Sequence, residues 1–372
     1  MKKKVILIGA TLLLLSTIIY YIAAPYFRTV YSDKIWLGTN ISKEEEVLFD
    51  FVNNNLTDSN GGIYTNYTNV KSAGDITKGH AILSESQGIM LLYSLEKNDK
   101  ILFDKTLEYI KNNMILSNSL ISWRVEGSLK SDTSATIDDL RIVKALLLAE
   151  KRWNIKSYRV MAINISRGIY KELVDNNVIV DFNDRYKMSD VTTLCYLDLE
   201  TLRMLSDLDS SWKKVLESSV QIINNGYISD EVPFYKKEFN RKQETYDDNQ
   251  NIDTLLSMIV ILNKQENGQD ISKSIQWIKN RFKADGFIST SYSKDGKAIS
   301  NIESTSIYSF IVQISSRTND EELAKLAMNK IRAFQISNFN SPVYGGYGMD
   351  DGSQVYSYDN LNALMSYRYF KY

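Results

Sequence analysis

From Ser42 onward, apolar residues recur at steps of three and four, the spacing of helices that bury one face. The first stretch opens on a capping box, Ser42 with Glu45, ahead of Val47, Leu48, Phe51 and Val52. Further amphipathic stretches predict helices over about 79–97, 101–116, 134–153, 156–175, 190–206, 209–225, 249–264, 270–283, 302–316, 319–336 and 357–370, twelve in all. No alternating run is long enough to predict a dominant sheet. The pattern predicts an all-α protein.

A short punctuation recurs between pairs of these helices. It reads Gly61-Gly62-Ile63-Tyr64, Ser119-Leu120-Ile121-Ser122, Asn177-Val178-Ile179-Val180, Gly226-Tyr227-Ile228-Ser229, Gly286-Phe287-Ile288-Ser289 and, more loosely, Tyr344-Gly345-Gly346-Tyr347. The spacings are 58, 58, 49, 60 and 58 residues, a near-constant period that signals a repeat architecture. Each unit is a helix, a turn led mostly by Gly or Asn, a short extended piece and a second helix. Six helical hairpins stack as an open solenoid or close as a toroid. Six pairs favour the closed (α/α)6 barrel, although the period does not itself prove closure.

The N-terminus bears on compartment. Lys2, Lys3 and Lys4 precede an uncharged run from Val5 to Ala24, 20 residues that end at Pro25. About 20 apolar residues span a bilayer as a helix, with the lysines on the cytoplasmic side. The expected organisation is a cytoplasmic tail (1–4), a transmembrane anchor (5–24), a linker (25–40) and an outward-facing barrel (41–372). The alternative is a cleaved signal peptide, whose apolar region usually runs only about 7–15 residues. No cysteine follows the run, so lipoprotein attachment is not expected.

Composition narrows the chemistry. The 44 basic residues are balanced by 45 acidic ones, which argues against nucleic acid as a partner. Cys195 is the only cysteine, so no intramolecular disulfide or Cys-based zinc cage forms. His80 is the only histidine, which nearly removes poly-His metal sites and Ser-His-Asp triads. No metal or cofactor is expected.

Three acidic motifs remain. In Ser84-Glu85-Ser86-Gln87-Gly88, Glu85 stands at the start of an apolar helix. A carboxyl aimed into a poorly solvated helix end has a raised pKa, as a general acid requires. The plainer reading is a first-turn Glu that complements the helix dipole. Ala135-Thr136-Ile137-Asp138-Asp139 and Tyr246-Asp247-Asp248 stand at later helix starts and share that plainer reading.

The joint pattern resembles glycoside hydrolase family 8 over most of residues 42–372. Ser84-Glu85-Ser86-Gln87-Gly88 with the Asn98-Asp99 turn is similar to the family's Ser-Glu-Gly-Gln-Gly motif and its Asn-Asp turn. Trp123, Ala135, Thr136, Asp139, Ile142, Ala145, Ala149 and Trp153 agree with its second motif, Ala-Thr-Asp-Gly-Asp with a preceding and a later Trp. Two departures fall at functional positions. The family's first Asp there is Ile137, with Asp138 the candidate to replace it, and the Arg of its Tyr-Asp-Ala-x-Arg segment is Gln250.

The resemblance implies an inverting, endo-acting glycoside hydrolase with Glu85 as general acid and Asp247 as general base. Asp139 and Asp138 would serve the cleavage point, and Trp123, Tyr246, Gln87 and Tyr64 would help hold the sugar. Other turn aromatics (Tyr67, Tyr227, Phe287, Tyr347) are further stacking candidates, although packing accounts for any one alone. The expected partner is a bacterial exopolysaccharide or related β-linked glycan at the membrane, near a polysaccharide synthase complex. The alternatives are an inactive member that binds polysaccharide, motivated by Ile137 and Gln250, and a polysaccharide lyase on the same fold.

Overall fold

The structure is a computed structural model that describes residues 11, 14, 16, 17, 19, 23–34, 36, 40–69, 79–184 and 186–371. From residue 43 the described chain carries twelve α-helices. They are α1 (Lys43–Asn55), α2 (Ser84–Lys97), α3 (Lys100–Asn113), α4 (Thr136–Trp153), α5 (Lys156–Glu172), α6 (Leu199–Leu208), α7 (Trp212–Asn225), α8 (Thr254–Glu266), α9 (Ser272–Asp285), α10 (Thr305–Thr318), α11 (Glu321–Phe334) and α12 (Ser357–Tyr369).

The even-numbered helices form the inner ring. Helix α2 packs on α4, α4 on α6, α6 on α8, α8 on α10, α10 on α12, and α12 back on α2. That last contact closes the barrel. Outside it, α3, α5, α7 and α11 lie against α2, α4, α6 and α10, while α1 packs on α12 and joins the two ends of the domain. Inner helices are apolar around most of their circumference, as burial on all sides demands; Leu140, Val143, Leu146, Ile307, Ile311 and Ile314 are all buried.

The Asn-Asp pairs explain the tight return from inner to outer helix. Asn98 and Asn319 end their helices in the left-handed region (φ 59° and 55°), and the aspartates that follow cap the next helices. Asp99 accepts from Leu102 N–H at 3.0 Å and Asp320 from Leu323 N–H at 3.2 Å. Ser42 likewise accepts from Glu45 N–H at 3.1 Å. The Glu45 carboxylate does not return to Ser42. It is buried between Arg368 (3.1 Å) and the Tyr93 hydroxyl (3.0 Å), which fastens α1 to the ring.

Ten short strands cluster where the inner helices begin, too brief to register as alternation. Strand β1 (Ile82–Leu83) occupies the start of the stretch predicted as helix 79–97. Strand β6 (Val191–Thr193) and a 3-10 turn (Leu194–Tyr196) precede α6, where helix was predicted from 190. Strand β9 (Asn251–Asp253) leads into α8.

No helix among the described residues is long and apolar enough to cross a membrane, and the run Val5–Ala24 lies mostly outside those residues. Residues 25–34, expected as a linker, lie as a strap across the face where the inner helices end. Arg28 donates to Leu208 O at 3.0 Å, Tyr31 N–H to Asp207 at 2.8 Å, and Arg159 to Arg28 O at 2.6 Å. The Lys34 ammonium is buried in an ion pair with Glu96.

Candidate active site

Glu85 is the second residue of α2, at the mouth of the barrel. Leu83, the residue before the helix, brings no side-chain cap; Ser84 N–H instead donates to the Trp123 carbonyl at 3.1 Å. The carboxyl of Glu85 is half-buried at the mouth. Burial pushes its pKa up to about 7, Asp138 nearby adds to the rise, Arg141 opposes it, and Asp359 adds a smaller push. A dipole-complementing Glu would be exposed and ionised, with a lowered pKa. The structure gives the opposite electrostatics.

Asp138 and Asp139 are adjacent on α4, so their side chains point about 100° apart around the helix. Asp138 faces α2. Its two oxygens accept from the Ser84 hydroxyl (2.6 Å) and from Arg141 (2.6 Å). Burial raises the Asp138 pKa, while Arg141 and Ser84 oppose that rise. Asp139 has no exposed surface, and its Oδ1 accepts from Ile121 N–H at 2.8 Å, pinning the turn between α3 and α4. Ile137, at the family's Asp position, lines a cavity of about 100 Å³ in the barrel interior together with Arg141, Cys195 and Tyr358.

The other sequence-derived candidates lie around this centre or apart from it. Gln87 is fully buried and, with its amide oriented by its partners, accepts from Ile63 N–H (2.7 Å) and donates to Gly61 O (3.3 Å). It thus holds the first turn. Tyr64 is half-buried, bridges to Ile82 just ahead of α2, and stacks on His80 with ring centroids 4.0 Å apart. Trp123 is half-buried beside Arg124. Asp247 lies on another wall: its carboxylate accepts from Lys237 N–H (2.7 Å), Glu238 N–H (3.0 Å) and Asn249 N–H (3.1 Å). Tyr246 turns outward, donating to Ile222 O at 2.7 Å.

Sequence reasoning passed over Arg141, Tyr358 and Asp359. Arg141 was legible as the residue three past Asp138 on the same helical face. Asp359 follows Tyr358 at the start of the last inner helix, a second Tyr-Asp pair in the chain. Among the described residues, no group of three or more His, Cys, Asp or Glu side chains is placed to hold a metal ion.

The sequence model described as "Glycosyl hydrolases family 8" matches residues 52–195, which span Glu85, Asp138 and Asp139. The chain belongs to glycosyl hydrolase family 8. This family 8 hydrolase is 49% identical to a solved structure described as a novel alpha-amylase from Clostridium perfringens, over 88% of this chain and 98% of that one, with a TM-score of 0.86. It is 25% identical to YdaJ of Bacillus subtilis (strain 168) over 86% of this chain and 85% of the relative. The endoglucanase Cel10 of Klebsiella pneumoniae, itself a family 8 glycosyl hydrolase, shares the fold at 15% identity and a TM-score of 0.60, over 86% of this chain and 97% of the other. The family 8 hydrolase is therefore a glycoside hydrolase built on an (α/α)6 barrel.

Proposed function

We propose that this glycoside hydrolase cleaves internal bonds of a polysaccharide by single displacement, with Glu85 as the general acid. The observation that carries the reading is the Glu85 carboxyl, desolvated beside Asp138 and pushed to about 7. Such a group holds a proton near neutral pH and can pass it to a leaving oxygen. Asp138, anchored by Arg141 and Ser84, is placed to hydrogen-bond the sugar at the cleavage point. Asp139 and Asp247 are engaged with backbone amides of turns and are assigned no proton transfer.

The alpha-amylase description of the 49%-identical relative makes an α-glucan the first substrate class to test. The β-linked exopolysaccharide expected from sequence remains the comparison. We also propose that the Val5–Ala24 run tethers the barrel outside the membrane.

The test is release of reducing ends from soluble starch, a β-glucan and a bacterial exopolysaccharide by the parent and Glu85→Gln. The parent should release them from starch, and the variant should be slower by about 10²–10⁴ with a melting temperature no lower than the parent's at neutral pH. Full activity in Glu85→Gln would overturn the assignment. Binding without release from any of the three would favour the inactive polysaccharide-binding reading.

A further inference from the structure

The strap of residues 25–34 does not lie flush on the barrel. Between it and helices α4 and α5 runs a groove of about 540 Å³, with Leu147, Leu148 and Met204 buried at its base. Its edges are open: Phe27 is 85% exposed and Val160 41%. Exposed apolar surface gathered along a groove marks a place where something other than water sits.

The groove is also short of negative charge. Arg28, Lys151, Lys156 and Arg159 line it, and among the described lining residues Glu150 is the single acid. Glu150 takes both Arg159, at 2.8 Å, and Lys156. The other bonds these cations make go to neutral carbonyls. Arg28 donates to Leu208 O at 3.0 Å, Lys151 to Ser32 O at 2.8 Å, and Arg159 to Arg28 O at 2.6 Å. A carbonyl satisfies a donor and leaves its charge uncompensated. Four cations against one carboxylate give the groove a net charge of +3. The N-terminal run supplies no remedy, because no acidic residue precedes Asp33 in the sequence. In addition, Arg28 uses only Nη1, so the Nε–Nη2 edge of its guanidinium, the edge that forks onto a phosphate, has no acceptor among the described residues.

The position of the groove selects the source of the missing anion. Ala24, the last residue of the apolar run, is buried at the head of the strap, and its carbonyl accepts from Arg28 N–H at 3.0 Å. In the sequence, Tyr20, Tyr21, Tyr26 and Phe27 bracket the end of that run, the aromatic placement of a membrane–water interface. Cations immediately outside an apolar span attract anionic headgroups.

We propose that this groove seats the headgroup of an anionic phospholipid, a role that rests on the tether proposed above. Arg28, Lys151 and Lys156 hold the phosphate, while Phe27 and Val160 meet the first carbons of the acyl chains. Arg159 is buried and committed to Glu150 and the strap, so it lends charge rather than contact. The face where the inner helices end is thereby held against the bilayer surface instead of swinging on its anchor.

The full chain is purified in a neutral detergent, and its lipid adducts are counted by native mass spectrometry with phosphatidylglycerol, phosphatidylcholine or glycerol 3-phosphate added. Both lipids carry a phosphate, but only phosphatidylglycerol has a net charge. The parent should retain phosphatidylglycerol in preference to phosphatidylcholine. Arg28→Gln with Lys156→Gln should weaken that retention by about fivefold per cation removed. Lys171→Gln with Lys297→Gln removes as much charge from side chains 80% and 81% exposed outside the groove, and should leave retention unchanged. Should Arg28→Gln loosen the strap, Lys156→Gln alone answers the question, because Glu150 keeps Arg159; it should cost about fivefold.

Equal retention of the two lipids by the parent, or equal losses in the two double variants, would sink the proposal. Displacement of phosphatidylglycerol by an equal concentration of glycerol 3-phosphate would replace the lipid with a soluble phosphate ester as the occupant, and so overturn it too. A carbonate wash of membranes keeps the tether and the groove apart. Parent released by the wash that still prefers phosphatidylglycerol overturns the tether and supports the groove. Parent that stays in the membrane without that preference overturns the groove alone.

Discussion

Gly88 leaves the space through which Arg141 passes to reach Asp138: a methyl group on its Cα would stand 3.0 Å from Arg141 Cδ. The Gly of the Ser-Glu-x-x-Gly pattern thus serves the helix opposite, one turn after Glu85. Gly88→Ala should lower kcat/KM by about 10², the scale of a small misplacement of a positioned group. Stability should change little, because alanine's helix preference, about 1 kcal/mol, offsets the crowding. Paired rates and melting curves check this, and an unchanged rate would refute it.

The Glu85 carboxyl also makes a pH prediction. Its folded pKa, about 7, lies above the usual 4.5, so the folded state holds the proton more tightly than the unfolded one. Its contribution is fully present below pH 4.5 and is lost as pH rises through 7. The melting temperature of Glu85→Gln relative to the parent should therefore rise across that window and level off above it. Parent kcat/KM should fall over the upper part of the same range.

Asp138 and Asp139 should respond in opposite ways to the same change. Asp138→Asn leaves the Arg141 guanidinium without its carboxylate in a buried site, a loss of about 3–5 kcal/mol, together with most of the activity. Asp139 is held well above the ordinary carboxylate range by burial, so an amide can stand in for it. Asp139→Asn should keep near-parent rates and melting. Asp139→Ala should cost about 1–3 kcal/mol, because Ile121 N–H loses its acceptor. Denaturant curves and initial rates on the three variants decide it.

On the opposite face, Lys34→Met should leave Glu96 buried without a cation and cost about 3–5 kcal/mol. Adding Glu96→Gln should recover most of that loss. Rates per folded molecule should match the parent in both variants. A rate that falls with Lys34→Met alone would mean that the strap reaches the active face.

The helices were legible because their apolar faces repeat at a constant period, and the Asn-Asp turns carry their own conformational signature at Asn98 and Asn319. The strands were not, since two or three residues cannot display alternation. Glu85 was legible through its motif. Which of Asp138 and Asp139 faces α2 was not, because neighbours on a helix differ by about 100° and only the tertiary partner decides which turns inward. Asp359 stayed hidden for a related reason. Its nearness to Glu85 depends on α12 closing the ring against α2, a contact between residues at opposite ends of the domain.

The strap fixes a direction as well as a contact. Residues 25–34 lie at the floor of the barrel, where Arg28 meets Leu208 and Arg159, while Glu85 and Asp138 open at the mouth. Four of the six inner helices run 13 or 14 residues, so at about 1.5 Å per residue the two ends stand roughly 20 Å apart. Anything that holds the protein by its N-terminus would present it as an upright cup with the rim turned outward. Such a cup meets polymer arriving from the medium, and strands emerging at the anchoring surface itself would have to climb its wall before being cut.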